Sequence, residues 1–501
     1  MKNFILAYVS GILLLAGIII PGHQAEALDS QTEYLRRATV KILTVYTRPD
    51  YNSPWKISSP QNKTGSGVII SNNLILTNAH VVSDATSIQV QKENDPELYS
   101  AKVLHIGHEC DLALLVVDEG SFFKGTSTLG FGAIPELRSK VTTYGYPQGG
   151  ERISITEGIV SRIEIGTYSH SSRASFLRIQ TDAALNPGNS GGPVIQEGKI
   201  VGIAFQTQNK SDNIGFMIPV PVIGHFLNDV KDGTYNGFPD IGIFSQNLMS
   251  QTFRKYLKMP EAASGVQVTH VIPGSSADGT LKKGDILTVV ESFDIANDGS
   301  IMNGRGRLNY SYVVNQKQVG EKLKIVFLRN GEKKQATLTM NLFPEKIKWF
   351  NEYETRPEYY IFGGIIFQPL SKEYLKTWKK WWYNADQRML YYFYYHLSDN
   401  VYPDRKEYVV INRILPDKAN TYISNIREAV VREINGIQIK RLDDVIKAFK
   451  SPKEGYHEIY VDGSKYKILL KASQMQEANQ RIIQNYRIPS LKRLNKNRKT
   501  R

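Results

Sequence analysis

The sequence predicts a mostly β protein of several modules, a β-barrel or sandwich unit followed by two smaller α+β units. Three observations carry this reading. The chain has 501 residues, and at about 150 residues per domain that makes roughly three domains. From about Thr39 to Val222, short β-rich runs such as Val40–Val45, Gly67–Ile70, Leu112–Val117 and Ile200–Phe205 alternate with glycine, asparagine and proline turns, the pattern of an all-β barrel or sandwich. Further on, Val268–Pro273 is echoed by Ile411–Pro416, each followed by a helix-like stretch and a strand ending in a polar turn, Gly284-Asp285 in one copy and Asn435-Gly436 in the other. Two related modules of about 100 residues follow from that repeat.

Composition sets the outer limits. Hydrophobic residues make up 41% and charged residues 22%, which excludes a mainly disordered or collagen-like chain. Lysine and arginine (62) exceed aspartate and glutamate (48), a net charge of +14 that favours anionic surfaces without speaking to fold. The single cysteine, Cys110, excludes an intrachain disulfide and clustered-cysteine zinc sites.

Taken in order, the first element is an address. Lys2 supplies positive charge, Phe4 to Ile20 is apolar except for Ser10, Pro21 and Gly22 break any helix, and Ala25-Glu26-Ala27 offers a small-x-small site. This reads as a secretory signal peptide, residues 1–27, cut after Ala27, with an uncleaved anchor as the alternative. The expected location is exported, periplasmic, where a free thiol is best buried. Ile223–Val230 has the spacing of a short amphipathic helix closing the β-rich unit, and Gly233–Pro239 reads as a linker. The aromatic runs Trp378–Tyr383 and Leu390–Tyr395 are expected to form a core-facing or subunit-facing helix, with membrane-interface docking as the alternative; nucleic-acid stacking is not expected of an exported chain with no recognisable RNA-binding fold. The last fifteen residues carry seven positive charges and no acid, so the end of the chain reads as a solvated, disordered tail, with peripheral membrane contact as the alternative.

The segment Asn186–Pro193 concentrates the chemistry. Ser190 stands among glycines, and a serine hydroxyl needs an adjacent base to act as nucleophile. His80 sits in Leu76–Val82 where an apolar strand ends, and Asp111 directly precedes the apolar run Leu112–Leu115. Each residue alone has an ordinary structural explanation. Together they give the chain order His, Asp, Ser of one known triad arrangement, with Ser190 attacking, His80 carrying the proton and Asp111 orienting the imidazole.

Thr77-Asn78-Ala79-His80-Val81-Val82, Asp111–Leu115 and Asn186–Pro193, with Thr64–Ile70 ahead of the histidine and Asn213–Pro219 after the serine, resemble the motifs of the HtrA/Do (Deg) family of trypsin-fold serine proteases. The resemblance implies two six-stranded β-barrels with the site between them, over residues 28–237. It implies an oxyanion hole at the backbone N–H groups of Gly188 and Ser190, with Asn189 between them. It also implies a primary specificity pocket based on Ala184, with Leu185, Ala204, Ile214 and Phe216 around it, apolar and therefore suited to Val, Ala, Ile or Leu rather than Lys or Arg. Residues 238–345 resemble a PDZ domain. There Ile241-Gly242-Ile243 is similar to the loop that presents backbone N–H groups to a peptide carboxylate, and Ile295–Tyr312 is an insertion. Residues 346–475 resemble a diverged second PDZ-like domain used for assembly, and residues 476–501 are the basic tail.

These readings converge on an exported, ATP-independent serine endopeptidase degrading unfolded or damaged proteins through an acyl-enzyme. The alternative is a chaperone or peptide-binding scaffold with little proteolysis. No cofactor, metal or nucleic acid is expected, and the resemblance implies C-terminal peptides as ligands and a homotrimer or larger assembly.

Overall fold

The computed structural model describes residues 21–495 apart from 148–149, 206–214, 400, 422, 424–427 and 465–466. Helix α1 (Pro21–Ala38) leads into two closed six-stranded barrels. Pro21 and Gly22, expected to break a helix, are themselves helical. The first barrel is built from β1 (Thr39–Tyr46), β2 (Gln61–Ile70), β3 (Leu74–Thr77), β4 (Ala85–Lys92), β5 (Tyr99–Gly107) and β6 (Leu112–Val117), in the closed order β1-β2-β3-β6-β5-β4. The second comprises β7 (Lys140–Gly145), β8 (Ser154–Thr167), β9 (Ser175–Thr181), β10 (Pro193–Gln196), β11 (Lys199–Phe205) and β12 (Gly215–Pro219), closed as β10-β11-β12-β9-β8-β7.

Alternation along the strands sorts the side chains into layers. Val40, Ile42, Ile69, Ile75 and Leu115 fill the first barrel, and Val141, Ile179, Val194, Val201 and Met217 fill the second. The opposite faces of the same strands (Leu76, Leu114, Tyr144, Phe176, Phe205) meet in a third cluster at the seam between barrels. Two short helices matter for the site: α2 (Ala79–Val82) follows β3, and α3 (Val220–Asp229) closes the second barrel. The segment expected to be a linker after α3 is packed. Asp229 accepts from the N–H groups of Asn236 and Gly237, both at 2.8 Å, and the buried Phe238 stacks on His225 at 3.8 Å. Cys110 is fully buried, and burial pushes its thiol pKa well up.

The repeat expected from the sequence is realised as two sheets of the same order. The second module has β13 (Ile243–Asn247), β14 (Val266–Val271), β15 (Ile286–Val290), β16 (Phe293–Asp294), the hairpin β17 (Ser300–Met302) and β18 (Arg307–Asn309), β19 (Lys322–Arg329) and β20 (Glu332–Thr339). Its sheet runs β13-β14-β15-β19-β20, with β16 folded back on β15. Helices α4 (Gln251–Tyr256) and α5 (Ser311–Val314) complete it. The third module has β21 (Tyr359–Phe362), β22 (Ile365–Pro369), β23 (Val409–Ile414), β24 (Ala429–Ile434), β25 (Ile437–Gln438), β26 (Tyr456–Val461), β27 (Lys467–Lys471) and β28 (Lys492–Arg493). Its order β22-β23-β24-β26-β27, with β25 folded back on β24, repeats that of the second module. The two polar turns matched in the sequence are not equivalent. Asn435-Gly436 joins β24 to β25, and its structural counterpart is Glu291-Ser292 between β15 and β16, whereas Gly284-Asp285 precedes β15.

The third module adds helices α6 (Lys372–Leu375), α7 (Trp381–Asn384), α8 (Gln387–Tyr395), α9 (Leu442–Ala448) and α10 (Met475–Tyr486). In the aromatic run, Met389, Tyr392 and Phe393 face the core while Trp382 and Tyr383 stay exposed. The basic tail is corrected more substantially. Its first part is α10, with Met475, Ala478 and Ile482 buried, and Lys492–Arg493 pairs with β21 as an edge strand. The apolar stripe was hidden by the charges around it; residues 496–501 lie outside the described residues.

Both modules dock on the barrels. The insertion foreseen at Ile295–Tyr312 is the docking element of the second: Leu308 on β18 is buried in the seam cluster with Phe176 and Phe226. Beside it Arg305 bonds the Ile134 carbonyl and the Glu136 carboxylate, each at 3.0 Å, and Asn315 donates to the Ser175 carbonyl at 2.8 Å. On the third module, Asn412 and Arg413 bond Tyr51 O and Ser53 Oγ of the first barrel at 3.0 and 2.7 Å. Leu308→Ala is expected to destabilise the seam by about 2–5 kcal/mol. The check is urea unfolding together with limited proteolysis, which should nick the β17–β18 hairpin sooner than in the native chain.

Candidate active site

His80 and Asp111 are held together by three elements. The β3–α2 junction presents His80, whose Nδ1–H donates to Asp111 Oδ2 at 2.8 Å, and the His80 backbone N–H donates to Oδ1 of the same carboxylate at 2.8 Å. Asp111 sits just before β6 in a left-handed conformation (φ 54°), which a short polar side chain tolerates better than most, and it is only 2% exposed. Burial pushes its pKa up, but His80 and His170 beside it and the hydrogen bonds from His80 outweigh that and hold the carboxyl below its usual range. It is therefore ionised and aimed at a half-exposed imidazole, the arrangement that fixes one tautomer and stabilises a cation.

The motif residues around the histidine have separate tasks that their spacing did not disclose. Asn78 is fully buried and its Nδ2–H donates to the Asp111 carbonyl at 2.9 Å. Thr77 Oγ1 donates to the Ser66 carbonyl at 2.6 Å. Lys63 places its ammonium on the carbonyls of His80 and Ser83, both at 2.8 Å, where α2 ends. Burial lowers the Lys63 pKa to about 8, with Asp84 opposing.

Ser190 lies on the turn between β9 and β10, and that turn is tied to the first barrel through Ser66. The Ser66 N–H donates to the Ser190 carbonyl at 2.8 Å. Its hydroxyl donates to the Gly188 carbonyl at 2.7 Å and accepts from the Tyr146 N–H at 2.8 Å. Gly191 (φ 86°) must be glycine here, since a Cβ would lie 2.1 Å from the Ser66 carbonyl oxygen. Within the turn, Asn189 N–H is taken by Asn186 O at 3.0 Å and Gly191 N–H by Ala204 O at 2.9 Å. Among the described residues, the N–H groups of Gly188 and Ser190, the two expected to form an oxyanion hole, donate to no backbone carbonyl. Because Ser66 grips the Gly188 carbonyl, the peptide unit between those two amides is fixed in orientation.

The expected pocket is only partly brought together. Ala184 is exposed and Leu185 half-buried, and Leu185 packs with Ala204 and Met217 against the interior of the second barrel. Phe216 is on the other face. β11 and β12 pair Ala204 with Met217 and Phe205 with Phe216, so the period-two alternation separates Phe216 from Ala204. Its ring lies under the Arg178 guanidinium, 4.4 Å away. Met217 is the residue that shares the Ala204 face, and strand alternation was the signal for it. Ile214 lies outside the described residues.

In the second module β13 is an edge strand, mostly exposed. Of the loop Ile241-Gly242-Ile243, Ile241 is buried, and the Gly242 N–H is already bonded to the Asp240 carboxylate at 2.6 Å. The corresponding edge of the third module, β22, is covered by β21, where Phe362 stacks on Phe449 at 4.0 Å next to α9.

Comparison with known proteins places this site in a family. A trypsin-like peptidase domain model matches residues 65–203, and a PDZ domain model matches residues 349–492. The Arabidopsis thaliana protein called Protease Do-like 4, mitochondrial, is 34% identical over 473 residues, spanning 93% of this chain and 88% of its own. The chain belongs to the Do-like (HtrA/Deg) serine protease family. Protease Do-like 2, chloroplastic, from the same plant is 34% identical across 90% of this chain and 74% of its own. Among solved structures, an HtrA-type protease, an AlgW variant with decapeptide, is similar with a TM-score of 0.51 and 25% identity, over 63% of this chain and 97% of that one. The PDZ model thus falls on the module whose sequence resemblance was the weaker of the two. This Do-like protease therefore combines a trypsin-like double barrel with PDZ architecture.

Ser66→Ala leaves a buried Gly188 carbonyl without its donor and frees the peptide unit between the two amides expected to form the oxyanion hole. The expected result is a fall in kcat of roughly 10–100-fold, of the kind a small misplacement causes, with KM nearly unchanged. Steady-state kinetics on a chromogenic peptide measures it.

Proposed function

We propose that this Do-like protease is an exported, ATP-independent endopeptidase acting on unfolded or damaged proteins, with Ser190 as nucleophile, His80 as general base and acid, and Asp111 as its orienting carboxylate. The observation that carries the reading is the buried, ionised Asp111 gripping both the ring and the backbone of His80, with Ser190 on a glycine turn tied to the same barrel through Ser66. Ser190 Oγ attacks the scissile carbonyl as His80 Nε2 takes its proton. The oxyanion forms against the N–H groups of Gly188 and Ser190, each such donor being worth about 100–1,000-fold in rate. His80 passes the proton to the leaving amine, and the acyl-enzyme on Ser190 is cleared by water through the reverse sequence.

The apolar side chains of Ala184, Leu185 and Ala204 support cleavage after small or aliphatic residues. A buried lysine ammonium would lack a partner there, while an aliphatic side chain gains about 1.5–3 kcal/mol on burial. The open edge of β13 supports peptide capture in the second module by strand addition. The apolar run Phe4–Ile20 and the small residues around Ala27 support delivery out of the cytosol, here read as periplasmic; among the described residues no helix is long and apolar enough to cross a membrane. Family resemblance supports a homotrimer or larger assembly.

The deciding experiment is casein digestion by the mature chain beside its Ser190→Ala variant. Digestion by the first and none by the second is expected, and equal digestion would remove Ser190 from the mechanism. Mass spectrometry of the digest is expected to show cuts after Val, Ala, Ile and Leu. A profile dominated by Lys and Arg would mean that the pocket lies elsewhere.

A further inference from the structure

Between the second and third modules the chain crosses the flank of the protease site and touches both barrels. Asn351 Nδ2–H and the Tyr353 hydroxyl both donate to the His170 carbonyl, at 2.6 and 2.7 Å. The Tyr353 ring stacks on the His170 imidazole at 4.1 Å with an interplanar angle of 17°, and on His108 at 4.8 Å. Glu354 Oε2 accepts from His108 Nε2 at 2.6 Å, and Glu354 exchanges two 2.7 Å bonds with Asp84. His108 Nδ1 lies 2.9 Å from His170 Nε2, and the His170 ring is 6.1 Å from that of His80. A second imidazole thus sits next to the one that must become a cation during the reaction.

We propose that Tyr353 and Glu354 are positioning residues of the protease site, holding His170 in one orientation and sealed from water against the flank of His80. The inference rests on the triad assignment above. Its physical basis is a repulsion that the native packing avoids. When His80 becomes an imidazolium, a proton on His170 would oppose it. His170 is 8% exposed, and burial drives its pKa well down, with Asp111 pulling the other way and His108, His80 and Lys63 adding to the lowering. Tyr353 supplies the cover on one face of the ring. Glu354, an acceptor only, requires His108 to donate from Nε2. His108 Nδ1 lies 2.9 Å from His170 Nε2, so the two rings share one hydrogen bond and Glu354 orients His170 through His108. Arg173, on the same loop as His170, is taken up by Glu345 at 2.9 Å.

The test is the pH profile of kcat/KM on a short peptide for the full chain, its Tyr353→Ala and Tyr353→Phe variants, and Tyr353→Ala combined with His170→Asn. Fluorophosphonate labelling of Ser190 and a thermal melt accompany each profile. The native acid limb is expected to follow one proton. Tyr353→Ala lets water reach His170, so its limb steepens toward two protons, with about tenfold less activity at the acid end than the native limb, the effect of one added ionisation. Tyr353→Phe keeps the ring and the native limb shape, and the double variant returns to one proton. A Tyr353→Ala limb of native shape, whether or not activity drops uniformly, would overturn the proposal. Should that variant fail to melt cooperatively, Tyr353→Leu is judged by the same slopes. A native chain whose Ser190 takes no label would instead count against the triad assignment, leaving the two failures distinguishable.

Discussion

Ser66 is the point at which the two barrels become one site. It belongs to the first barrel, yet its N–H, hydroxyl and carbonyl engage Ser190, Gly188, Tyr146 and Thr77, so one fully buried residue joins the turn that carries Ser190 to the strand that delivers His80. Water is excluded there, and each unmet polar group would carry a desolvation penalty of about 1–3 kcal/mol. The four partners therefore hold one another in register. His80 and Ser190 sit on separate barrels 110 residues apart in sequence, and nothing local constrains their distance; the crossing through Ser66 does.

The modules extend that constraint outward. A PDZ-like sheet offers a strand edge, and the two copies treat it differently. In the second module β13 remains exposed, while in the third β21 already pairs with the equivalent strand and α9 packs against both. The difference follows from the Gly363-Gly364 turn, whose two positive φ angles let the chain fold straight back as a hairpin. The β22 edge is thus satisfied by the chain itself, and the segment leading into the third module reaches the flank of His80.

The Asp240 carboxylate changes how the second module's loop is read. The Gly242 amide that a peptide carboxylate would use is bonded to a carboxylate of the chain itself, and a second anion there would be repelled. The proposed strand pairing along β13 does not depend on that amide, whereas the expected contact with a free peptide terminus does.

The sequence alone determined the elements whose signal is local. The strand and turn alternation of the barrels, the repeat of the two modules, and the His80, Asp111 and Ser190 segments were legible because period-two burial and glycine turns are written in consecutive residues. Three things were decided only by tertiary structure. Phe216 parted from Ala204 because its strand partner, Phe205, faces the seam. Residues 475–486 became a packed helix because Met475, Ala478 and Ile482 found a core among flanking charges. Ser66, His108, His170 and Tyr353 acquired their tasks from contacts across as many as 246 residues of chain, the separation of His108 and Glu354. Hydrogen bonds and ring stacks of that range depend on how whole barrels and modules are set against one another, and no window of neighbouring residues encodes that placement.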